Sequence, residues 1–419
     1  MKSADLPAPF DADLEASAPD TQRALCLSGG GWRAALFHAG GLQRLNELGV
    51  LSQITTISTV SGGSVVAAGI IDAIESGAIT WPQPGGSPAE IPGWDSITDR
   101  VRRVTGQNLR TPAWIRRLIR SGNMIDQLAR LYEATVTPLS IADAPAQPRF
   151  IISATDMPFG VNWRFDLNPP GFTGPRMGSY RAGWTDVPSD WPIARTIAAS
   201  SCFPPVFNPM ELSIDPSTLE DGTYSGDDRD QLVANIGLTD GGVYDNLGLE
   251  PVIDTHGWVL VSDGGAVIAP RASRWLGDKL LRYAAIQGSQ GAPTRKRWLV
   301  DQYQAEVRNG AYWSIHTTPA PNRTDLDRYT NDEARAISQL RTDLDRFNDC
   351  EAELLITHGY FQANAVADMF LGDIRRPMTA LSQTRLDPPT VQATANTGTK
   401  RTIVGRGAFI RRAFGPVTA

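Results

Sequence analysis

Two short apolar runs near the start of the chain each give way to small residues and then to an apolar pattern of longer period. Leu25-Cys26-Leu27 stops at Ser28 and three glycines, Gly29 to Gly31. Beyond them Trp32, Leu36, Ala39, Leu42, Leu45 and Leu48 recur every three or four positions, and Gly49 stands where a helix C-terminal cap belongs. The run ITTISTV (54–60) is β-branched and ends at Ser61-Gly62-Gly63. After it Val65, Val66, Ala67, Ala68, Ile70 and Ile71 are apolar on nearly every side of a helix, with Asp72 and Glu75 only near its end. The pattern predicts strand, glycine turn, helix, strand, serine turn, helix, the second helix buried at its start and emerging later. Such alternation predicts an α/β fold with a parallel sheet whose active groups lie at the carboxyl ends of its strands. Alternation at Val161, Trp163, Phe165 and Leu167 predicts a further strand. SRWLGDKLLRYAAI, EARAISQLRTDLDRF and HGYFQANAVADMFL read as helices packing on the same core.

The two turns carry the candidate chemistry. A serine on a sharp strand-to-helix turn between small residues exposes its hydroxyl at the sheet edge, facing the positive end of a helix. Val60-Ser61-Gly62-Gly63 has that form, with Thr59 where the usual GxSxG elbow has its first glycine. Three residues without Cβ let backbone amides turn toward an anion. An acyl-transfer enzyme needs such donors where a carbonyl oxygen becomes negative, and Arg33 adds a charge beside them. Residues 29–34 also fit the dinucleotide pattern GxGxxG/A, but that fingerprint wants an acid at the end of the next strand and ITTISTVSGG has none. Close packing of helix on strand is a further meaning of the glycines. For a base, none of His38, His256, His316 and His358 stands in a pattern that marks it. Asp240 does, ending an apolar run before Gly241 and Gly242, although a plain Asp-Gly turn reads the same way. GWVLVSDGGA repeats the arrangement at Asp263.

The segments SGGGWR (28–33), TVSGGS (59–64), ASSCFPPVF (199–207) and TDGGVYDNLG (239–248), in this order, resemble the four signatures of the patatin-like lipid acyl hydrolases. SATDMPFGVNWRF (153–165) resembles that family's hairpin between nucleophile and aspartate. The similarity covers about residues 22–265, with a weaker helical likeness to about 370. It implies a three-layer α/β/α fold around a central, mostly parallel sheet, and a Ser-Asp dyad without histidine. Ser61 would be the nucleophile, Asp240 the base, and Gly29, Gly30, Gly31 and Arg33 the oxyanion-stabilising loop, acting on a phospholipid or glycerolipid ester without metal or organic cofactor. The flanking VYDNLG favours Asp240 over Asp263. Thr59 and Ala34 depart from the family pattern. Two other readings stand beside this one. Ser61, Asp240 and His256 follow the chain order of a Ser-Asp-His α/β-hydrolase, although sixty residues leave room for only about two strand–helix units before the elbow. A nucleotide-binding or catalytically silent regulatory module would use the glycine loop without ester turnover.

Composition bounds the rest. A chain of 419 residues, 41% hydrophobic and 20% charged, is long enough for one large core, and 39 glycines with 30 prolines imply long loops within it. No run of about eighteen apolar residues exists to predict a transmembrane helix. Residues 1–20 are acidic and contain proline, and read as a disordered lead-in; 21–372 form the catalytic domain, with a helical insertion at about 81–134 and C-terminal helices at about 272–372; 373–419 read as a Thr/Pro/Arg-rich tail. Cys26, Cys202 and Cys350, odd in number and widely spaced, suggest thiols in a reducing, cytoplasmic setting rather than disulfides or a metal site. The net charge of −6 gives no reason to expect nucleic acid as a partner. Charge is nevertheless local: residues 100–130 hold eight arginines against one acid, Asp126. Within them Thr111 and Pro112 read as a helix start, with Trp114, Ile115, Leu118 and Ile119 on one face and Arg116, Arg117 and Arg120 flanking it. This is the pattern of a peripheral membrane contact.

Overall fold

β1 (Arg23–Leu27) and β2 (Thr56–Val60) are buried along nearly their whole length, as parallel strands covered on both faces must be. The computed structural model that contains them describes residues 22–107, 124–204, 207–266, 276–317, 331–342, 344, 346–382, 390–391 and 393–394. The acidic lead-in and the amphipathic segment 111–120 lie outside the described residues. β1 and β2 pair in parallel, and the parallel set is completed by β3 (Arg149–Asp156), β9 (Trp258–Asp263) and β10 (Asn309–Ser314) in the order β10-β9-β1-β2-β3. From β3 outward the sheet turns antiparallel through β4 (Val161–Asp166), β5 (Arg176–Ser179) and β6 (Gly183–Asp186). β7 (Met210–Ser213) and β8 (Asn235–Asp240) form an antiparallel ribbon whose second strand also pairs with β3.

Side-chain alternation along β1 divides the interior into two cores. Leu25 and Leu27 face the larger, beneath α1 (Gly31–Glu47), α2 (Gly62–Glu75), α3 (Asp95–Thr105), α4 (Met124–Thr135) and α5 (Ile193–Ser201). α6 (Arg229–Ala234) and α7 (Gly242–Asp245) flank β8. Ala24 and Cys26 face the smaller core, with Val252 and Ile253 of α8 (Glu250–Ile253) and Leu299 of α9 (Leu276–Gln304). Helices on both faces of a sheet, parallel where the turns in question lie, are the expected α/β/α layering. α10 (Asn331–Ser338) and α11 (Asp349–Phe370) follow.

Of the first two helices, only the first departs from its sequence pattern. α2 behaves as its pattern predicts, buried from Gly62 to Ile71 and exposed at Glu75. α1 is buried all round, with Arg33, His38, Arg44 and Asn46 included, because α11 covers the side turned from the sheet. The two helices cross in backbone contact: a Cβ at Gly40 would run into the carbonyl of Ile356, and one at Gly359 into that of Phe37. The α1 C-terminus closes as a Schellman motif, the Gly49 amide on the Asn46 carbonyl and that of Val50 on Leu45, with Gly49 at φ 73°. The β3–β4 hairpin forms as expected, Asp156 opposite Val161.

The C-terminal boundary moves. Residues 375–382, expected in a tail, are tied to the core: the Arg376 amide donates to the Leu48 carbonyl, buried Arg44 donates to the Thr379 carbonyl at 2.8 Å, and the Ser382 amide donates to the Tyr360 hydroxyl at 2.9 Å. Loss of apolar period there reflects a segment held by polar contacts rather than a free one. Cys26 and Cys202 are buried and Cys350 exposed, all three unpaired. Among the described residues no helix is long and apolar enough to cross a membrane.

Candidate active site

At the carboxyl ends of β1 and β2 the chain twice turns sharply into a helix. Gly30 and Gly31 take φ of 143° and 62°, values that suit glycine. Ser61 takes φ 50°, ψ −112°, a strained conformation for a residue with a side chain and the one expected of a nucleophile elbow. The turns touch: a Cβ at Gly62 would collide with the Gly31 carbonyl, and a Cβ at Gly29 would stand 3.3 Å from Ser61 Cβ. Two helix N-termini, of α1 and α2, therefore open at one point. Among the described residues the amides of Gly30, Gly31 and Gly62 have no protein acceptor, as first-turn amides do not. They leave a place for an anion.

The carboxylate reaches this point by an unusual route. β2 and β8 share one edge of β3. β2 occupies it as far as Val60 opposite Ser153, and β8, running the other way, takes it over with Asp240 opposite Ala154. The two strands thus meet end to end, and Ser61 and Asp240 fall together. Burial pushes the Asp240 carboxyl up to about 6; the Gly242 amide, donating to Oδ1 at 2.7 Å, and the neighbouring Ser61 hydroxyl limit the rise. A carboxylate in this range is a competent proton acceptor near neutral pH.

Asp263 is held elsewhere. Its Oδ1 accepts the Gly265 amide at 2.8 Å and its Oδ2 the Tyr312 hydroxyl at 2.5 Å. Arg33, expected beside the anion-binding glycines, is 2% exposed and donates to the carbonyls of Ser338, Leu340 and Gly264. Those three acceptors use its charge to anchor backbone, which corrects its expected place in the loop. Gly29 is corrected too, because its amide is committed to the Asn246 carbonyl at 3.1 Å.

None of the four histidines bonds to Ser61 or Asp240. His256 Nε2 bonds Thr56 Oγ1 at 2.8 Å, at the start of β2, about 16 Å of strand away from Ser61. His316 bonds the Gly265 carbonyl and His358 that of Ile315. His38 lies under the glycine loop: Nε2 donates to the Ser28 carbonyl at 2.9 Å, so Nδ1 accepts from Ser262 Oγ at 2.8 Å, and burial lowers the ring to about 4, keeping it neutral.

Three residues that sequence reasoning did not single out belong to this site. His38 supports the loop, and no local pattern pointed to it. Asn246, inside VYDNLG, fills the space between three turns: its Oδ1 stands where a Cβ of Gly29 or Gly242 would fall, and its Nδ2 lies 2.7 Å from one at Gly265. Ser200, inside ASSCFPPVF, accepts the Ser61 amide on its hydroxyl at 2.9 Å. No group of three or more His, Cys, Asp or Glu side chains converges as a metal site among the described residues.

An α/β sheet with a serine elbow, a glycine turn and a strand-end carboxylate gathered at one point is the frame of this chain. The model of the patatin-like phospholipase family matches residues 25–253, and the chain belongs to that family. It is similar in structure to human GIVD cytosolic phospholipase A2, at 11% identity and a TM-score of 0.46, over 91% of this chain and 63% of that one. It is similar also to VipD from Legionella pneumophila, at 12% identity and a TM-score of 0.32, over 95% of this chain and 77% of that one. The chain thus spans less than two thirds of the length of the phospholipase A2. No curated protein sequence matches it.

Proposed function

We propose that the chain hydrolyses carboxylic esters of phospholipids or related glycerolipids through Ser61, Asp240 and an acyl-enzyme. What carries the reading is the register along β3, which puts the ends of β2 and β8 side by side. Asp240 takes the hydroxyl proton as Ser61 Oγ adds to the ester carbonyl, and the amides of Gly30, Gly31 and Gly62 receive the oxyanion. Collapse of the tetrahedral intermediate returns the proton to the leaving alcohol. Water, deprotonated in turn by Asp240, then releases the fatty acid. The α1 and α2 dipoles favour the negative charge throughout. Exposed Phe203 and Val243 flank the Asp240 turn, in keeping with a protein that meets lipid peripherally. The family match supports the lipid ester as substrate.

A fluorophosphonate probe tests this directly. Peptide mass spectrometry should find the adduct on Ser61, and Ser61→Ala should abolish both labelling and fatty acid release from phosphatidylcholine vesicles. His256→Gln should keep kcat within about threefold of the parent, since a triad histidine is worth several orders of magnitude. Labelling at another serine, or a His256→Gln variant without activity, would overturn the dyad.

A further inference from the structure

Ser200 bonds the backbone of Ser61 and of Gly241, the residue next to Asp240. It is fully buried in the last turn of α5. Its hydroxyl donates to the Ser153 carbonyl at 2.7 Å and accepts the Ser61 amide at 2.9 Å. Its own carbonyl accepts the amide of Gly241, the residue after the carboxylate, at 3.3 Å. Two residues on, the Cys202 carbonyl accepts the Asp240 amide at 3.3 Å and Thr239 Oγ1 at 3.0 Å. One helix end therefore grips the serine elbow from one side and the aspartate turn from the other.

The direction of each hydrogen bond follows from the acceptors. A carbonyl only accepts, so the single Ser200 proton goes to Ser153, and Ser64 Oγ, 2.9 Å away, must donate to Ser200. Ser64, its proton spent, accepts from Thr59 Oγ1 at 3.1 Å. The chain of hydroxyls runs Thr59 to Ser64 to Ser200 to the Ser153 carbonyl, all buried. Its last hydroxyl, that of Ser200, holds the amide of a residue at φ 50°, a backbone that persists only where its surroundings impose it. Thr59, which replaces the elbow's usual glycine, is the first donor of that chain.

Resting on the Ser61–Asp240 reading, we infer that Ser200 is a positioning residue that fixes nucleophile and base at their working separation, with Ser64 and Thr59 orienting its hydroxyl. Ser200→Ala leaves the carbonyl bond to Gly241 and removes the hold on the Ser61 amide. It should lower kcat and the fluorophosphonate labelling rate together by roughly tenfold to a hundredfold, with KM within about twofold. Amide hydrogen exchange in the peptide spanning 56–66 should quicken at the same time. Ser64→Ala spares the bond to Ser61 and should cost only a few-fold; the double variant should lose no more than Ser200→Ala alone, since both act through one hydroxyl. If Ser200→Ala fails to fold, Ser200→Cys, which keeps the shape with a weak hydrogen-bonding group, should give the same signature to a smaller degree. A Ser200 variant that labels and turns over at the parent rate, or losses that merely follow melting temperature equally in Ser64→Ala and Ser200→Ala, would overturn the inference. An unmodified protein that does not label at Ser61 fails the dyad itself, and exchange in 56–66 that is unchanged by Ser200→Ala fails the bracket separately.

Discussion

Asp240-Gly241-Gly242 and Asp263-Gly264-Gly265 are one turn built twice. Each aspartate ends a strand, and each folds Oδ1 back on the amide of its second glycine, at 2.7 and 2.8 Å. Their surroundings then diverge. β8 arrives antiparallel on the edge of β3 that β2 has just left, so Asp240 meets Ser61. β9 lies beyond β1, two strand spacings or about 10 Å from β2, and Tyr312 of β10 takes the free oxygen of Asp263. The difference teaches that a three-residue motif specifies a local turn, and that strand order decides which copy faces the serine.

Substitution should separate the two turns widely. Asp240→Asn keeps an acceptor for the Gly242 amide but no base, and fatty acid release from phosphatidylcholine vesicles should fall by about a thousandfold or more. Asp263→Asn should stay within about tenfold of the parent; an equal loss in both would reverse the assignment.

The Asp240 turn also links acidity to stability. Folding raises Asp240 from 3.8 to about 6, chiefly by burial, so between those values the native chain holds a proton that the unfolded chain has released. The contribution of this group to stability is therefore fullest at low pH and falls as pH rises through that window, and its penalty stays constant above it. Asp240→Asn should remove the penalty and stabilise the protein by roughly 3 kcal/mol at pH 8 and by little at pH 4 in chemical denaturation. The acid limb of kcat/KM should lie near 6. An Asn variant less stable than the parent at pH 8 would show that the buried carboxylate is not under strain.

A smaller effect is expected on the side of the second turn. Arg33 ties Gly264 to the carbonyls of Ser338 and Leu340, so Arg33→Ala should cost about 2 kcal/mol and several degrees of Tm while kcat drops less than tenfold. A large fall in kcat at unchanged Tm would return Arg33 to the anion site.

Local pattern made much of this legible. The apolar periods around residues 25–71 carried the first two strand–helix units, and the small residues beside Ser61 and Asp240 marked these two as the proposed pair. What stayed hidden depends on neighbours distant in sequence. Nothing near Arg33 reveals that carbonyls more than 300 residues on will take its protons, and nothing in α1 tells that α11 will bury its outer side. The antiparallel entry of β8, which brings the carboxylate to the serine, is a property of the β7–β8 ribbon and the β3 edge together, and neither segment carries it alone.

That end-to-end junction of β2 and β8 also sets a clock. Ser61 leaves the ribosome roughly 180 residues before Asp240, an interval of about 10 to 40 s at ordinary translation rates. Through that interval the nascent chain carries a hydroxyl with no proton acceptor. On the proposed chemistry, a growing or prematurely terminated polypeptide cannot attack the lipids around it, and competence arrives in one step when β8 docks.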